Sequence, residues 1–410
     1  MSDPTRQAAF DLLAAVLNRH RPLEEALDAL ASIEPRDRAA AHRIVASVLR
    51  RAGSLDAVLE PFLRRAPPDP VRHILRLGAA QLVLLDTPPH AAVATAVALA
   101  RARGLAPFAG LVNAVLRRVA EAGPAALDHL DGPRLDTPPW LWASWGADAR
   151  AIAQAHGREA PLDLTLRPGA SALDGEMLPT GSVRMPAGTR LTELPGFAEG
   201  AFWVQDAAAA LPAGLLNVRP GELVADLCAA PGGKAAQLAM TGAAVAAIER
   251  DPVRLDRLAD NFARLRSTAT PILADALEWR PEAPLDAVLL DAPCSATGTI
   301  RRHPDVPFLK RPRDIETLVA QQAALIAAAA AMLRPGGRLV YAVCSLQPEE
   351  GRGQMEAAAR AGLRHDPLRP NELAALPEAL TPDGCLRTHP GLWPERGGID
   401  GFFAARFIKP

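Results

Sequence analysis

The chain has 410 residues, 49% of them hydrophobic, which is enough for two or three domains, each with its own core. Its net charge of -1 neither favours nor excludes a nucleic-acid partner, because a local patch counts for more than the sum. The four cysteines, Cys228, Cys294, Cys344 and Cys385, lie far apart without a CxxC pair, which argues against a disulfide framework and against a metal site. The alanine-rich stretches are interrupted by Arg, Glu or Pro and leave no uncharged run of bilayer length. The opening "MSDPTRQAAFDLLAAV" lacks a basic-then-apolar signal pattern, so the expected location is the cytoplasm.

Residues 1–125 carry apolar side chains at three- and four-residue spacing, as in "RQAAFDLLAAVLNR", "DPVRHILRLGAAQLVLL" and "FAGLVNAVLRRVAE", which predicts an all-α bundle. Breaks such as "RAPPDP" and "DTPPH" separate the helices. This part holds 16 Arg against 12 acids and is net basic. Residues 138–205 change character. "LDLTLRPG", "SVRMPAGTRLTEL" and "AFWVQD" are short strand-like pieces split by turns, which predicts a small α/β subdomain.

Over 206–410 apolar strands alternate with helices. The strands are "ELVADL", "AAVAAIE", "TPILAD", "LDAVLLD" and "GRLVYAV", with helices near 233–240, 252–266 and 314–333. That alternation predicts a doubly wound, mostly parallel sheet. The tail "GIDGFFAARFIKP" reads as a last strand at the sheet edge.

Open α/β sheets bind ligands outside the carboxyl ends of their strands, and "ELVADLCAAPGGK" offers such a place. A strand is followed by a Pro-Gly-Gly turn and a helix start, where Gly232 and Gly233 would let a ligand approach the backbone. Glu249 ends the second strand and suits both ribose hydroxyls; Asp275 after the third suits an adenine amino group. The loop is not GxGxxG, so S-adenosylmethionine is favoured over a nicotinamide dinucleotide.

Asp291 and Cys294 follow the fourth strand and Cys344 follows the fifth. Neighbouring parallel strands lie about 4.8 Å apart, so both thiols are expected to face one cavity. The chemistry gives thiols a task there. Carbon 5 of a pyrimidine is a poor nucleophile until a thiolate adds to carbon 6, and an acid such as Asp291 near ring N3 stabilises the adduct. Methylation of an exocyclic amine needs no thiol. The chemistry alone does not say which sulfur attacks.

The segments "VQDAAA", "DLCAAPGGK", "LLDAPCSATGTIRRHPD", "VYAVCSLQPEE" and "DGFFAARFIKP" resemble the Sun (Fmu) family of RNA cytosine-5 methyltransferases, of the bacterial 16S rRNA type, and the helical N-terminus resembles the antitermination factor NusB. The resemblance runs along nearly the whole chain. It implies a Rossmann-like class I methyltransferase fold behind an all-α NusB-like RNA-binding bundle. It also implies that Cys228, Ala229, Ala230, Pro231, Gly232, Gly233, Lys234, Glu249, Asp275 and Asp291 contact S-adenosylmethionine, that Cys344 attacks carbon 6, and that Cys294 assists release. Val343 stands where the family usually has Thr before the nucleophile.

Arg301, Arg302, His303, Lys310, Arg311 and Arg313 surround the loop with positive charge and are expected to hold RNA phosphates. The partner implied is 16S rRNA, with its target cytosine in a loop or flipped out and the enzyme acting as a monomer without a metal or a membrane. Two other readings are a tRNA methyltransferase and a non-catalytic RNA-binding assembly factor with a relic methyltransferase domain. A relic should have lost the cysteines or the Gly-Gly loop, and this chain keeps both.

Overall fold

A computed structural model of the chain describes residues 3–410. They form two compact units, one of residues 3–158 with 300–311 and one of residues 159–299 with 312–410.

The first unit is helical. Its principal helices are Pro4–Arg19, Pro35–Arg50, Ala52–Leu59, Asp69–Val83, Pro89–Ala102 and Ala109–Ala122. Proline stands in the first turn of four of them, where its missing N–H costs nothing and its φ already suits the helix. Asp3 caps the first helix by accepting the Arg6 N–H at 3.2 Å. The apolar stripes meet in one core, in which Leu13, Val16, Val45, Leu55, Ile74 and Leu116 are all fully buried.

The helical unit continues to Arg158 and takes in the short helices Pro139–Trp145 and Ala149–His156. It also takes in residues 300–311. Asp305 accepts the Leu23 N–H at 2.8 Å, the Arg50 guanidinium donates to the Arg301 carbonyl at 3.0 Å, and Phe308 and Leu309 pack on the helical core.

The second unit opens with a four-stranded antiparallel sheet of β1 (Leu162–Leu166), β2 (Glu176–Met177), β3 (Val183–Met185) and β4 (Phe202–Val204), in the order β2-β3-β1-β4. Asp163 of β1 and Arg184 of β3 form a fully buried two-pronged ion pair at 2.7 and 2.8 Å. Arg184 also donates to the carbonyls of Arg396 and Gly398, and Asp163 accepts the Ala207 N–H. The pair thus ties the small sheet to the chain just after it, at Ala207, and to the later stretch that holds Arg396 and Gly398.

The larger sheet contains β5 (Leu223–Leu227), β6 (Ala244–Glu249), β7 (Thr270–Leu273), β8 (Leu285–Asp291), β9 (Leu333–Val343), β10 (Arg364–His365), β11 (Leu386–Arg387) and β12 (Phe403–Ile408). Its order is β10-β12-β9-β8-β5-β6-β7, with β5 to β9 parallel and β12 antiparallel to β9. The expected doubly wound sheet is present, and its order reverses between β5 and β8. The last strand is not an edge strand. β10 and β11 pair along its outer side, and each is only two residues long, too short to announce itself in the sequence.

The helices Gly233–Ala239, Pro252–Leu265 and Pro312–Met332 fall where the periodicity puts them. Among the described residues Pro312–Met332 is long and apolar enough to cross a membrane by length and composition. It packs on β8 and β9, and its fully buried Gln322 donates to the Pro293 carbonyl at 2.9 Å.

The loop after β8 is pinned where two glycines meet. Gly298 donates its N–H to the Cys344 carbonyl at 3.0 Å and accepts the Gly401 N–H at 2.8 Å. A Cβ on Gly298 would lie 2.0 Å from the Gly401 carbonyl oxygen, so backbone has to move to admit it. Gly298→Ala is therefore expected to cost about 1–3 kcal/mol, read as a lower urea midpoint with an unchanged slope; an unaltered midpoint would show that the loop yields freely.

Candidate active site

β8 and β9 pair in parallel with Asp291 opposite Ala342, and the Ala292 N–H extends the ladder to the Ala342 carbonyl at 2.9 Å. Both chains therefore leave the sheet at the same height. Cys294 and Cys344 come next, and their sulfurs stand 3.4 Å apart, each partly exposed. The Cys294 thiol is held well above its ordinary pKa, first by its contact with the Cys344 sulfur, then by burial, then by the negative charges of Cys344 and Glu350. It rests protonated at neutral pH.

A charged cluster lies at the same end of the sheet. The Lys234 ammonium bonds Asp291 at 2.7 Å and stands 5.1 Å from the centre of the Phe402 ring. Burial alone would lower the pKa of Lys234, but Asp291, Asp226 and the Cys344 sulfur together raise it. Asp226, at the end of β5, is fully buried, and neither of its oxygens has a hydrogen-bond partner. Burial and the charge of Asp291 push its pKa up to about 8, against the charge of Lys234, which acts the other way.

Cys228, Glu249 and Asp275 line one open cleft of about 90 Å³ beside Ile248, Pro293 and Leu325. Glu249 accepts the N–H groups of Arg250 and Asp251 on one oxygen. Its other oxygen is buried without a hydrogen bond, with only the exposed Arg254 guanidinium 3.4 Å away. A carboxylate held this way has an acceptor left for a ligand hydroxyl, so the cleft suits the ribose of a nucleoside cofactor. Asp275 keeps one oxygen on the Leu277 N–H at 2.9 Å. Cys228 has its thiol pushed up to about 12, by burial and then by the charge of Glu249, and so takes no part as a thiolate.

Gly232 carries a backbone constraint of its own. Its φ is +100°, and a Cβ there would lie 2.8 Å from the Phe262 ring. Both its turn and its packing against the helix Pro252–Leu265 therefore require glycine. Ala229 is buried, and its N–H donates to the Ile248 carbonyl at 2.9 Å. Ala230 and Pro231 offer their carbonyls to Arg254 and Asn261. Gly233 opens the helix that carries Lys234.

Among the basic residues, Arg301 is a correction. Its side chain is 0% exposed and is not available to a phosphate. Arg302 and Lys310 are half-buried, while His303, Arg311 and Arg313 are exposed. Val343 is fully buried in the apolar cluster that holds Tyr341 and Phe403, so its methyls fill core space.

Glu350 was not found by sequence reasoning. It is fully buried and accepts hydrogen bonds from Ser295 and Ser345, the residues after the two cysteines. The repeated Cys-Ser pair and an acid six residues beyond the second one are the signals that could have found it.

A family model described as 16S rRNA methyltransferase RsmB/F matches residues 213–408, and the NusB family model matches residues 3–121. The ribosomal RNA small subunit methyltransferase B of Xanthomonas campestris pv. campestris is 39% identical over 390 residues, covering 86% of this chain and 87% of the relative. The protein of that name from Sodalis glossinidius is 35% identical over 438 residues, covering 98% and 97%. Among solved structures, a methyltransferase homolog protein from Pyrococcus horikoshii matches 66% of this chain and 93% of its own, with a TM-score of 0.54 and 26% identity.

The raised pKa of Asp226 makes stability depend on pH. From its ordinary value near 3.8 up to about 8, the folded chain holds a proton that the unfolded chain has lost, so stability falls as pH rises through that window. Asp226→Asn removes this dependence. Its thermal midpoint, relative to the parent chain, is expected to rise between about pH 5.5 and about pH 8; parallel profiles would show the carboxyl ionised throughout.

Proposed function

Because the chain belongs to the RsmB/F family of 16S rRNA methyltransferases, we infer that it methylates carbon 5 of a cytosine in 16S rRNA through a transient cysteine adduct, using S-adenosylmethionine. The observation that carries this reading is the pair of thiols 3.4 Å apart at adjacent strand ends, next to a cleft whose Glu249 keeps a buried acceptor open. A methyl transfer to an amine or a hydroxyl would have no use for two sulfurs.

The cofactor, bound by Glu249, Asp275 and the loop from Cys228 to Lys234, supplies an electrophilic methyl group. Cys344 as thiolate adds to carbon 6 of the cytosine and makes carbon 5 nucleophilic. Asp291, held by Lys234 at 2.7 Å, shares a proton with ring N3 and balances the charge of the adduct. After methylation a water molecule takes the carbon 5 proton as base, the C5–H electrons re-form the ring double bond, and the Cys344–carbon 6 bond breaks to expel the sulfur as thiolate. Cys294 assists this release from its place beside Cys344.

The target base enters as a loop or flipped-out nucleotide, since a stable RNA helix hides its base edges. Arg302, His303, Lys310, Arg311 and Arg313 hold backbone phosphates, and the helical unit adds RNA affinity. The protein acts as a monomer in the cytoplasm, where its substrate is. A tRNA substrate and a relic role have no observation in their favour, and the relatives are small-subunit rRNA enzymes by name.

Cys344→Ala is expected to abolish methyl transfer from labelled cofactor to unmodified 16S rRNA; full activity would overturn the assignment of the nucleophile. Cys294→Ala is expected to accumulate a denaturation-resistant protein–RNA band. Glu249→Ala is expected to weaken cofactor binding about tenfold or more in calorimetry, since a charged hydrogen bond is lost; unchanged affinity would remove Glu249 from the cleft's function.

A further inference from the structure

We propose that Glu350 is the positioning residue of this site, fixing the spacing of the two sulfurs by holding the serine that follows each cysteine on a single buried carboxylate. The proposal rests on the covalent reading above, in which Cys294 has to reach an adduct formed by Cys344.

The two loops repeat the same dipeptide, Cys294-Ser295 and Cys344-Ser345, fifty residues apart. Glu350 lies between them and is 0% exposed. Its Oε1 accepts the Ser295 N–H at 2.8 Å and the Gln322 side-chain amide at 3.0 Å. Its Oε2 accepts the hydroxyls of Ser295 and Ser345, each at 2.5 Å. A carboxylate offers about four acceptor sites, and here all four are used. One oxygen collecting both hydroxyls also explains why the two Oγ atoms stand only 2.9 Å apart.

The surroundings fix the carboxylate in turn. Tyr341, the only tyrosine of the chain, donates its hydroxyl to the Glu350 carbonyl at 2.5 Å. Gln354 donates to the Gln322 side-chain oxygen at 3.3 Å. Thr297 accepts the Leu346 N–H at 2.9 Å, a second bond from one loop to the other. A buried charge is tolerated only when its hydrogen bonds are made, so the charge itself enforces this geometry. Glu350 has no hydrogen bond to either sulfur; it acts through the serines.

The test reads sulfur spacing directly. A fluorogenic bis-alkylating bimane bridges only thiols held close together, and Cys294→Ala supplies the blank. In Glu350→Ala the bridging rate and the multiple-turnover kcat are expected to fall about tenfold to a hundredfold, with KM for 16S rRNA within about threefold and the covalent adduct accumulating. Glu350→Gln, which keeps the shape and an acceptor oxygen, is expected to recover much of both.

The double variant Ser295→Ala with Ser345→Ala keeps the carboxylate but removes its hydroxyl partners. It is expected to reproduce the loss, and it carries the test if Glu350→Ala does not fold. Parent-like bridging and kcat in Glu350→Ala would overturn the proposal. So would losses in both Glu350 variants that merely follow weaker cofactor binding and a lower Tm. If Cys294→Ala forms no adduct under turnover, the covalent reading fails. If that adduct forms while Glu350→Ala behaves as the parent, only the role of Glu350 fails.

Discussion

Parallel pairing of β8 with β9, with Asp291 opposite Ala342, is the constraint on which the site depends. It delivers two loops to the same end of the sheet, but strand pairing alone would leave their side chains about 4.8 Å apart or more. The sulfurs stand at 3.4 Å, so the loops must converge after leaving the sheet. Convergence has a cost, because loop backbone and hydroxyls have to leave water. The Gly298–Gly401 crossing and the Glu350 carboxylate meet that cost with hydrogen bonds. Apolar packing could bring the loops together, but it is not directional and would not fix two sulfurs in register.

The same convergence concentrates acid. Asp226, Glu249 and Asp291 end β5, β6 and β8, or stand one residue short of the end, and among the described residues Lys234 is the ammonium bonded to them. The cluster resolves its repulsion in two ways. Asp291 is paired with Lys234, while Asp226, unpaired and buried, is driven toward its neutral form. A surplus of acid around a cofactor cleft suits a donor that carries a positive sulfonium, and it disfavours a dinucleotide with its phosphates.

Much of this was legible in the sequence, for reasons of range. Each central strand is a continuous apolar run, which is how strands covered on both faces read, and the residues at their carboxyl ends follow from counting. Cys294, Cys344, Asp291, Glu249 and Asp275 were placed by that logic alone. Glu350 was not, because its partners lie 55, 28 and 5 residues away and the repeated Cys-Ser pair shows its meaning only once the two loops are brought together. β12 was put at the edge because β10 and β11 are two residues each. Arg301 was read as one charge in a basic run, where charge pattern says nothing of burial.

The Cys294 loop is held by contacts within its own unit. From Ser295 to Gly298 the chain is fixed by Glu350, by Thr297 and by the Gly298–Gly401 crossing. Two residues beyond Gly298 it enters a segment, 300–311, that is built into the helical unit through Asp305, Phe308 and Leu309. Within the basic run the buried Arg301 is structural, while His303, Arg311 and Arg313 stay exposed. A loop held by these bonds within its own unit loses little entropy when substrate arrives, and so its thiol is presented in place without an ordering step. That is what a reaction needs when its second sulfur has to act within reach of an adduct formed by the first.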